Sequence, residues 1–341
     1  MPSLSPLPGR QAGAFKNPAS ARRYWLTLAL IGLIGALAAF GLLAYANPFE
    51  TGSPKWWLVA NRRTNALIAM GVAALSQALA TVAFQTVVNN RIITPGILGF
   101  QALYTAIHTA TIYFGGAAGL IAAHTLETFL FQLVMMLALS LLLYSWLLTD
   151  KKANMHLMLL VGVVLGGGLG SLSTFMQRML TPSEFDVLTA RLFASVNNAD
   201  ASYYPLALPL VAGAALLLFL KSPTLNVLGL GPEVASNLGI NHRRQSILVL
   251  ILVSLLMAVS TALVGPLTFL GFLVATLTYQ LADTYDHRYL FPLASLLAFA
   301  ILALSYFIMN HIFAAQGVVG IIIELIGGLT FLIIILRKGK L

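Results

Sequence analysis

The 341-residue chain contains no cysteine and has few charged residues, 9% against 59% hydrophobic. Without cysteine there is no disulfide framework, thiolate zinc site or iron–sulfur ligation, and thiol usage says nothing of the redox compartment. A soluble chain carries roughly 25% charged residues. A water-soluble domain of this length would still need a charged surface, so lipid must replace water around most side chains. The alternating polar and apolar period of a membrane barrel is missing too; 247–264 is apolar on every face. Only helices then satisfy the backbone in hydrocarbon. The net charge of +9 is scattered among short loops, as membrane orientation requires, which argues against nucleic-acid binding.

Apolar runs of about 20 residues recur, the length a helix needs to cross a bilayer. The expected spans are 24–46, 66–88, 96–113, 126–148, 156–178, 205–220, 246–265, 267–282, 289–310 and 318–336. Asn47-Pro48, Asn89-Asn90, Gly115-Gly116, Ser222-Pro223 and Gly265-Pro266 punctuate them. Arg22 and Arg23 before an apolar stretch have the outward form of a signal peptide. The stretch Leu26–Leu43 exceeds the 7–15 residues of a secretory core, so a retained first helix is expected. Residues 1–23 read as a flexible cytoplasmic tail, with 24–341 as one transmembrane domain.

Basic residues orient the chain. With the amino end in the cytoplasm, ten spans return the carboxyl end there. Of 19 Lys and Arg residues only Lys55, Arg62, Arg63, Arg178 and Arg191 then lie outside, the bias expected of a membrane protein. The chain also echoes itself. Pro95-Gly96-Ile97-Leu98-Gly99-Phe100 opens the third span, and Pro266-Leu267-Thr268-Phe269-Leu270-Gly271-Phe272 opens the eighth. Gly167-Gly168-Leu169 in span five matches Gly327-Gly328-Leu329 in span ten. A separation of five spans, an odd number, inverts the second copy. The expectation is an all-α polytopic membrane protein of about ten helices. Two inverted five-helix repeats, about 24–180 and 205–336, make it up, as in many transporters.

The cytoplasmic loop 225–244 is the most informative. Gly231 suits the end of one short helical turn, and Pro232 the first position of the next helix, with Glu233 favourable near its positive end. Val234, Leu238 and Ile240 would form an apolar ridge closed by Gly239. Physics alone leaves two readings open: a ridge that binds a partner, or an interfacial helix resting on lipid.

Leu228-Gly229-Leu230-Gly231 through Leu238-Gly239-Ile240 resembles the coupling segment of permeases in the iron–siderophore, haem and cobalamin class of bacterial ABC importers. Ala73-Ala74-Leu75-Ser76 through Gln85, Asn90 and Pro95–Gly99 resembles that family's second-to-third-helix signature. Gly265-Pro266, Phe269-Leu270-Gly271 and Asp286-His287-Arg288 resemble its seventh-to-eighth-helix region, and Gly327-Gly328 its last helix. The resemblance spans about 60–340 in order. It departs at Ala60-Asn61-Arg62-Arg63, where the family usually brackets Leu-Pro with two arginines. It departs again at Ala275-Thr276, where the family usually has Pro-His. Both changes bring the chain nearest to permeases for catecholate-type siderophores.

The resemblance implies the transmembrane subunit of an importer in the bacterial cytoplasmic membrane, moving ferric siderophore by alternating access. It implies a second permease subunit (identical or a paralogue), two cytosolic ATPases and an extracytoplasmic substrate-binding protein. The Gly-x-x-x-x-Gly-Lys-Ser/Thr phosphate loop is absent, so ATP and magnesium belong to the partner. No cofactor, catalytic residue or protein-bound metal is expected on this chain; iron arrives already chelated. Leu228, Gly229, Gly231, Pro232, Glu233, Val234, Leu238, Gly239, Arg243 and Arg244 would couple to the ATPase. Arg63 first, then Arg62 and Lys55, would meet carboxylates of the binding protein; the alternative for these cations is lipid headgroup contact or a helix-end salt bridge with Glu50. The segment 181–204 would form a short outer helix over the pore mouth.

Gly162, Gly166 and Gly170 form a stripe open to two readings: close helix packing, or, with Gly327 and Gly328, a wall of the translocation path. Asp150, Lys151 and Asn154 would form an inner gate. Glu324, in mid-span where charge is costly, reads as a hydrogen-bonded packing residue. It would instead be the proton site if the chain were a secondary transporter. Haem or cobalamin are the alternative cargoes. His108 and His311 lack metal-ligand spacing, and an intramembrane enzyme would need paired catalysts that the spans do not offer.

Overall fold

The computed structural model describes residues 13–45, 47–50, 52–122, 125–149, 155–312 and 319–338. They form thirteen α-helices: α1 (Pro18–Ala44), α2 (Pro54–Val88), α3 (Phe100–Ala122), α4 (Leu126–Thr149), α5 (Met155–Gln177), α6 (Pro182–Leu192), α7 (Tyr204–Leu220), α8 (Ser222–Leu228), α9 (Pro232–Asn237), α10 (His242–Val264), α11 (Leu270–Leu281), α12 (His287–His311) and α13 (Val319–Lys338). Among the described residues, six helical stretches are long and apolar enough to cross a membrane. They are Pro18–Ala44, Pro54–Val88, Leu157–Gln177, Ala201–Leu220, His242–Val264 and His287–His311. Leu126–Leu142 and Leu270–Leu281 are shorter apolar helices. Each expected span overlies one helix, of which α11 has only 12 residues, whereas 181–204 and 225–244 hold α6, α9 and most of α8.

Helices α2 and α10 occupy the centre, packed along each other, with α12, α11 and α7 also against α2. Their approach is close because α2 buries small residues: Ala69, Ala73, Ala74, Ala78, Ala80 and Ala83. Small residues let membrane helices come together where no hydrophobic force separates protein from lipid. Gln77 Nε2 donates to Ser260 Oγ across this seam at 3.3 Å. On α11, a Cβ at Gly271 would run into Thr81 Oγ1 of α2. Helix α1 lies on the flank against α12. Its Leu26, Leu30, Leu33, Leu37 and Phe40 all point outward. Spaced by three and four, they make a stripe that water would penalise and lipid accepts.

Three boundaries differ most from expectation. Helix α3 runs on to Ala122, with a kink at Gly116 (φ 53°), where Gly115-Gly116 was expected to end the third span. Helix α2 begins at Pro54 rather than 66, because Ser53 caps it, accepting from the Trp56 amide, and Pro54 suits the first turn. The polar run through Arg62 and Arg63 is therefore helical, whereas hydropathy placed it before the span. Helix α1 begins at Pro18, with Asn17 and Ser20 forming a reciprocal capping box. Residues 13–17 are packed against the α11–α12 connection, although the sequence placed them in a free tail. Lys16 Nζ meets Asp283 Oδ1 at 3.2 Å, Thr284 donates to the Ala14 carbonyl, and the Phe15 ring leans on Tyr24 and Tyr289.

Candidate functional site: a lever, a rim and an irregular wall

The segment expected to act as a lever follows α7. Helix α8 is anchored by buried Leu225 and Leu228. Gly231 (φ 96°) turns the chain into α9. The Gly239 amide bonds Ser236 O and the Ile240 amide bonds Ala235 O, both at 3.0 Å. With Gly239 at φ 79°, this is the paired-bond helix stop that needs a left-handed residue. Ala235 faces inward, fully buried, while Leu230 (57% exposed), Val234 (44%) and Leu238 (60%) project outward four residues apart. Ile240 packs inward against the core; Leu230 takes its place in the expected ridge. Pro232, Glu233, Arg243 and Arg244 are exposed around it.

A polar joint ties the lever to the helix bundle. Asn226 Oδ1, on α8, accepts from the His287 amide at 3.0 Å and lies 2.6 Å from His287 Nδ1. Asn226 Nδ2 donates to Asp286 Oδ1 at 3.0 Å. His287 Nε2 reaches Thr86 Oγ1 of α2 at 2.8 Å. Asp286 also caps α12 and forks with Arg288, whose Nη2 stands 2.6 Å from Oδ2. Burial alone would raise the Asp286 carboxyl, but hydrogen bonds from Arg288 and Asn226 outweigh it and hold the group below its ordinary range. Three elements thus meet at one buried imidazole. Asn226 and Thr86 carried no signal in the sequence, and Asp286-His287-Arg288 entered only as a family likeness.

On the expected outer side, Arg63 Nη1 donates to the Leu43 and Tyr45 carbonyls at 3.0 and 2.9 Å. It closes the carboxyl end of α1, a stabilising place for a cation. Arg62 is exposed and lines a cleft of about 300 Å³ with Asn197, Tyr306, Asn310 and His311. Lys55 lies over the Phe49 ring. Helix α6 is held by the Thr181–Glu184 capping box. The segment after it hooks back, the Ser195 amide bonding Val264 O at 2.8 Å.

The expected glycine stripe divides. Gly162 and Gly166 pack on the Pro95–Leu98 turn and Gly99. Gly167, Gly170, Ser171, Thr174 and Arg178 instead open on a hollow of about 520 Å³. Gly328 has open space beside it, and Gly327 lies on the same helix, α13. Asp150, Lys151 and Asn154 fall outside the described residues. His108 Nε2 pairs with Gln132 and His311 Nδ1 with the Phe307 carbonyl.

The family model for the FecCD transport family matches residues 26–337. The petrobactin import system permease protein FatC of Bacillus anthracis is 52% identical over 332 residues, covering 97% of this chain and 94% of that protein. The petrobactin import system permease protein YclO of Bacillus subtilis is 33% identical over 311 residues, covering 91% and 96%. In fold, the chain is similar to a metal-chelate type ABC transporter solved in an inward-facing conformation. That likeness has a TM-score of 0.77 at 21% identity over 92% of this chain and 99% of the other. The chain belongs to the FecCD transport family.

Proposed function

We propose that this protein is the membrane subunit of a bacterial ATP-driven importer for ferric siderophores of the catecholate class. Ten of its helices cross the cytoplasmic membrane as two inverted five-helix repeats, with both termini inside. The chain moves cargo and performs no covalent chemistry; a separate ATPase hydrolyses ATP. The carrying observation is the exposed Leu230–Val234–Leu238 ridge on a lever joined through Asn226 and His287 to α2 and α12. An apolar ridge of this kind on a charged cytoplasmic face fits a protein partner, with Arg243 and Arg244 at its margin. The import roles in the names of the two relatives support the cargo.

In the proposed cycle a loaded binding protein docks near Arg62. Cargo enters between this chain and a second permease subunit, along the open face of α5 and along α13. Closure of the ATPases pushes the lever, and the joint passes that motion to α2 and α12.

The test is reconstitution with a partner ATPase and binding protein, measuring ATP-dependent uptake of iron chelate. Leu230→Asp with Leu238→Asp should release the ATPase and abolish uptake. Retained attachment and uptake would overturn the reading, and uptake without any ATPase would favour a proton-coupled carrier. Uptake of haem or cobalamin instead would move the cargo class.

A further inference from the structure

The two similar segments at Pro95 and Pro266 meet. Gln101 Nε2 donates to Thr268 Oγ1 at 2.9 Å, and Thr268 Oγ1 donates to Glu324 Oε1 of α13 at 3.3 Å. Both donors run toward the carboxylate. Among the described residues Glu324 Oε2 has no hydrogen-bond partner, and the side chain is exposed. The backbone just before Gln101 and Thr268 is irregular: Gly99 has φ 95° and Gly265 φ 92°.

This inference rests on the permease reading. Helix α11 has 12 residues, about 18 Å of helix, so its Thr268 end sits well inside a hydrocarbon layer about 30 Å thick. A carboxylate and non-helical backbone at that depth belong beside protein or a water-filled cavity. The paired turns have α5 on one flank, through Gly99 and Gly166, and α13 on the other, through Thr268 and Glu324. The open face of α5, with Ser171 and Thr174, supplies the rest of a wetted wall.

We propose that Glu324, oriented by Thr268 and Gln101, is a recognition point in the translocation path for a cationic amine or other N–H donor on the chelated cargo. A carboxylate with all local donors already directed at one oxygen offers the other to a ligand. An anionic catecholate centre would be repelled, so the contact selects the linker of the chelate and sets its orientation in the path.

The experiment uses the reconstituted complex and two synthetic ferric catecholate chelates, alike except that a protonated secondary amine in the linker becomes an ether oxygen. The wild type should take up the amine chelate on the order of tenfold faster in kcat/KM, the effect of one charge-assisted hydrogen bond. Glu324→Gln, the same size and still able to accept from Thr268, should erase that preference. Size-exclusion chromatography establishes that the variant assembles. Should it not, Thr268→Val provides the second variant and should shrink the preference. A preference unchanged in both variants would overturn the proposal. So would Glu324→Gln weakening the dimer while leaving the preference intact, since the carboxylate would then serve the subunit interface. If the wild type takes up neither chelate with ATP, the siderophore reading fails rather than this one.

Discussion

Asn226 grips His287 twice, accepting from its backbone amide at 3.0 Å and lying 2.6 Å from its ring Nδ1. A carboxamide oxygen only accepts, so in this pairing Nδ1 carries the proton. Asn226 Nδ2 turns the other way, to Asp286. One residue of α8 thereby fixes the amino end of α12.

Replacing Asn226 by Ala should leave the ATPase attached while separating hydrolysis from transport. The Leu230–Leu238 ridge is untouched, but the lever can now move without α12. We expect ATP turnover close to the wild-type rate, with binding-protein stimulation and uptake reduced about tenfold or more, and stability lowered by about 1–3 kcal/mol. Simultaneous ATPase and uptake assays would decide; proportional loss of both would mean simple misfolding.

Gly271→Ala should destabilise the α2–α11 contact by about 1–3 kcal/mol through overpacking, because the new methyl meets Thr81 Oγ1. That hydroxyl is buried without a hydrogen-bond partner among the described residues, so Thr81→Ala sacrifices little. The double variant should recover most of the loss. A thermal-unfolding double-mutant cycle measures the coupling, and strict additivity would refute the steric account.

Gly239→Ala tests a different cost. Open space surrounds Gly239, so the penalty comes from φ 79° alone, about 1–2 kcal/mol. Gly239→Asn should cost less, since asparagine tolerates the left-handed region. ATPase affinity should follow the same order, read by titration binding.

The two outer arginines should separate. Arg63→Ala frees the Leu43 and Tyr45 carbonyls and should lower the unfolding temperature. Arg62→Ala should leave it unchanged while slowing binding-protein association, more so at low salt. Stopped-flow binding beside thermal unfolding distinguishes them.

The Asp286 carboxyl titrates below its unfolded value, so its contribution is complete above about pH 3.9 and fades only as pH falls through the lower folded value. Between pH 5 and 8 the effect of Asp286→Asn on unfolding temperature should therefore be constant. A marked change within that window would contradict the assigned hydrogen bonds.

Much of this architecture was legible in the chain because its signals are local. Apolar runs located the long helices, and Gly231-Pro232 with Gly239 delimited α9, since a proline start and a left-handed stop need only neighbouring residues. Asn226 was not legible: its partner lies 61 positions away, and no periodicity marks such a pair. Ile240 and Leu230 exchanged roles because the Gly239 turn redirects the chain inward. The glycine stripe left packing and an open wall as alternatives, and its even spacing could not divide them. A separation of four positions drifts around the helix, so Gly170 joins the open face while Gly162 and Gly166 stay packed. Helix α2 ran past its apolar stretch because capping at Ser53, rather than hydropathy, sets its start.

The contacts of residues 13–17 with Asp283, Thr284 and Tyr289 make this short segment a fixed landmark beside the joint. A spectroscopic label near Ala14 would therefore act as a gauge of the α11–α12 connection during turnover. Deletion through Asn17 would strip that connection of its outer brace, so any shortened version of the protein should keep residues 13–17.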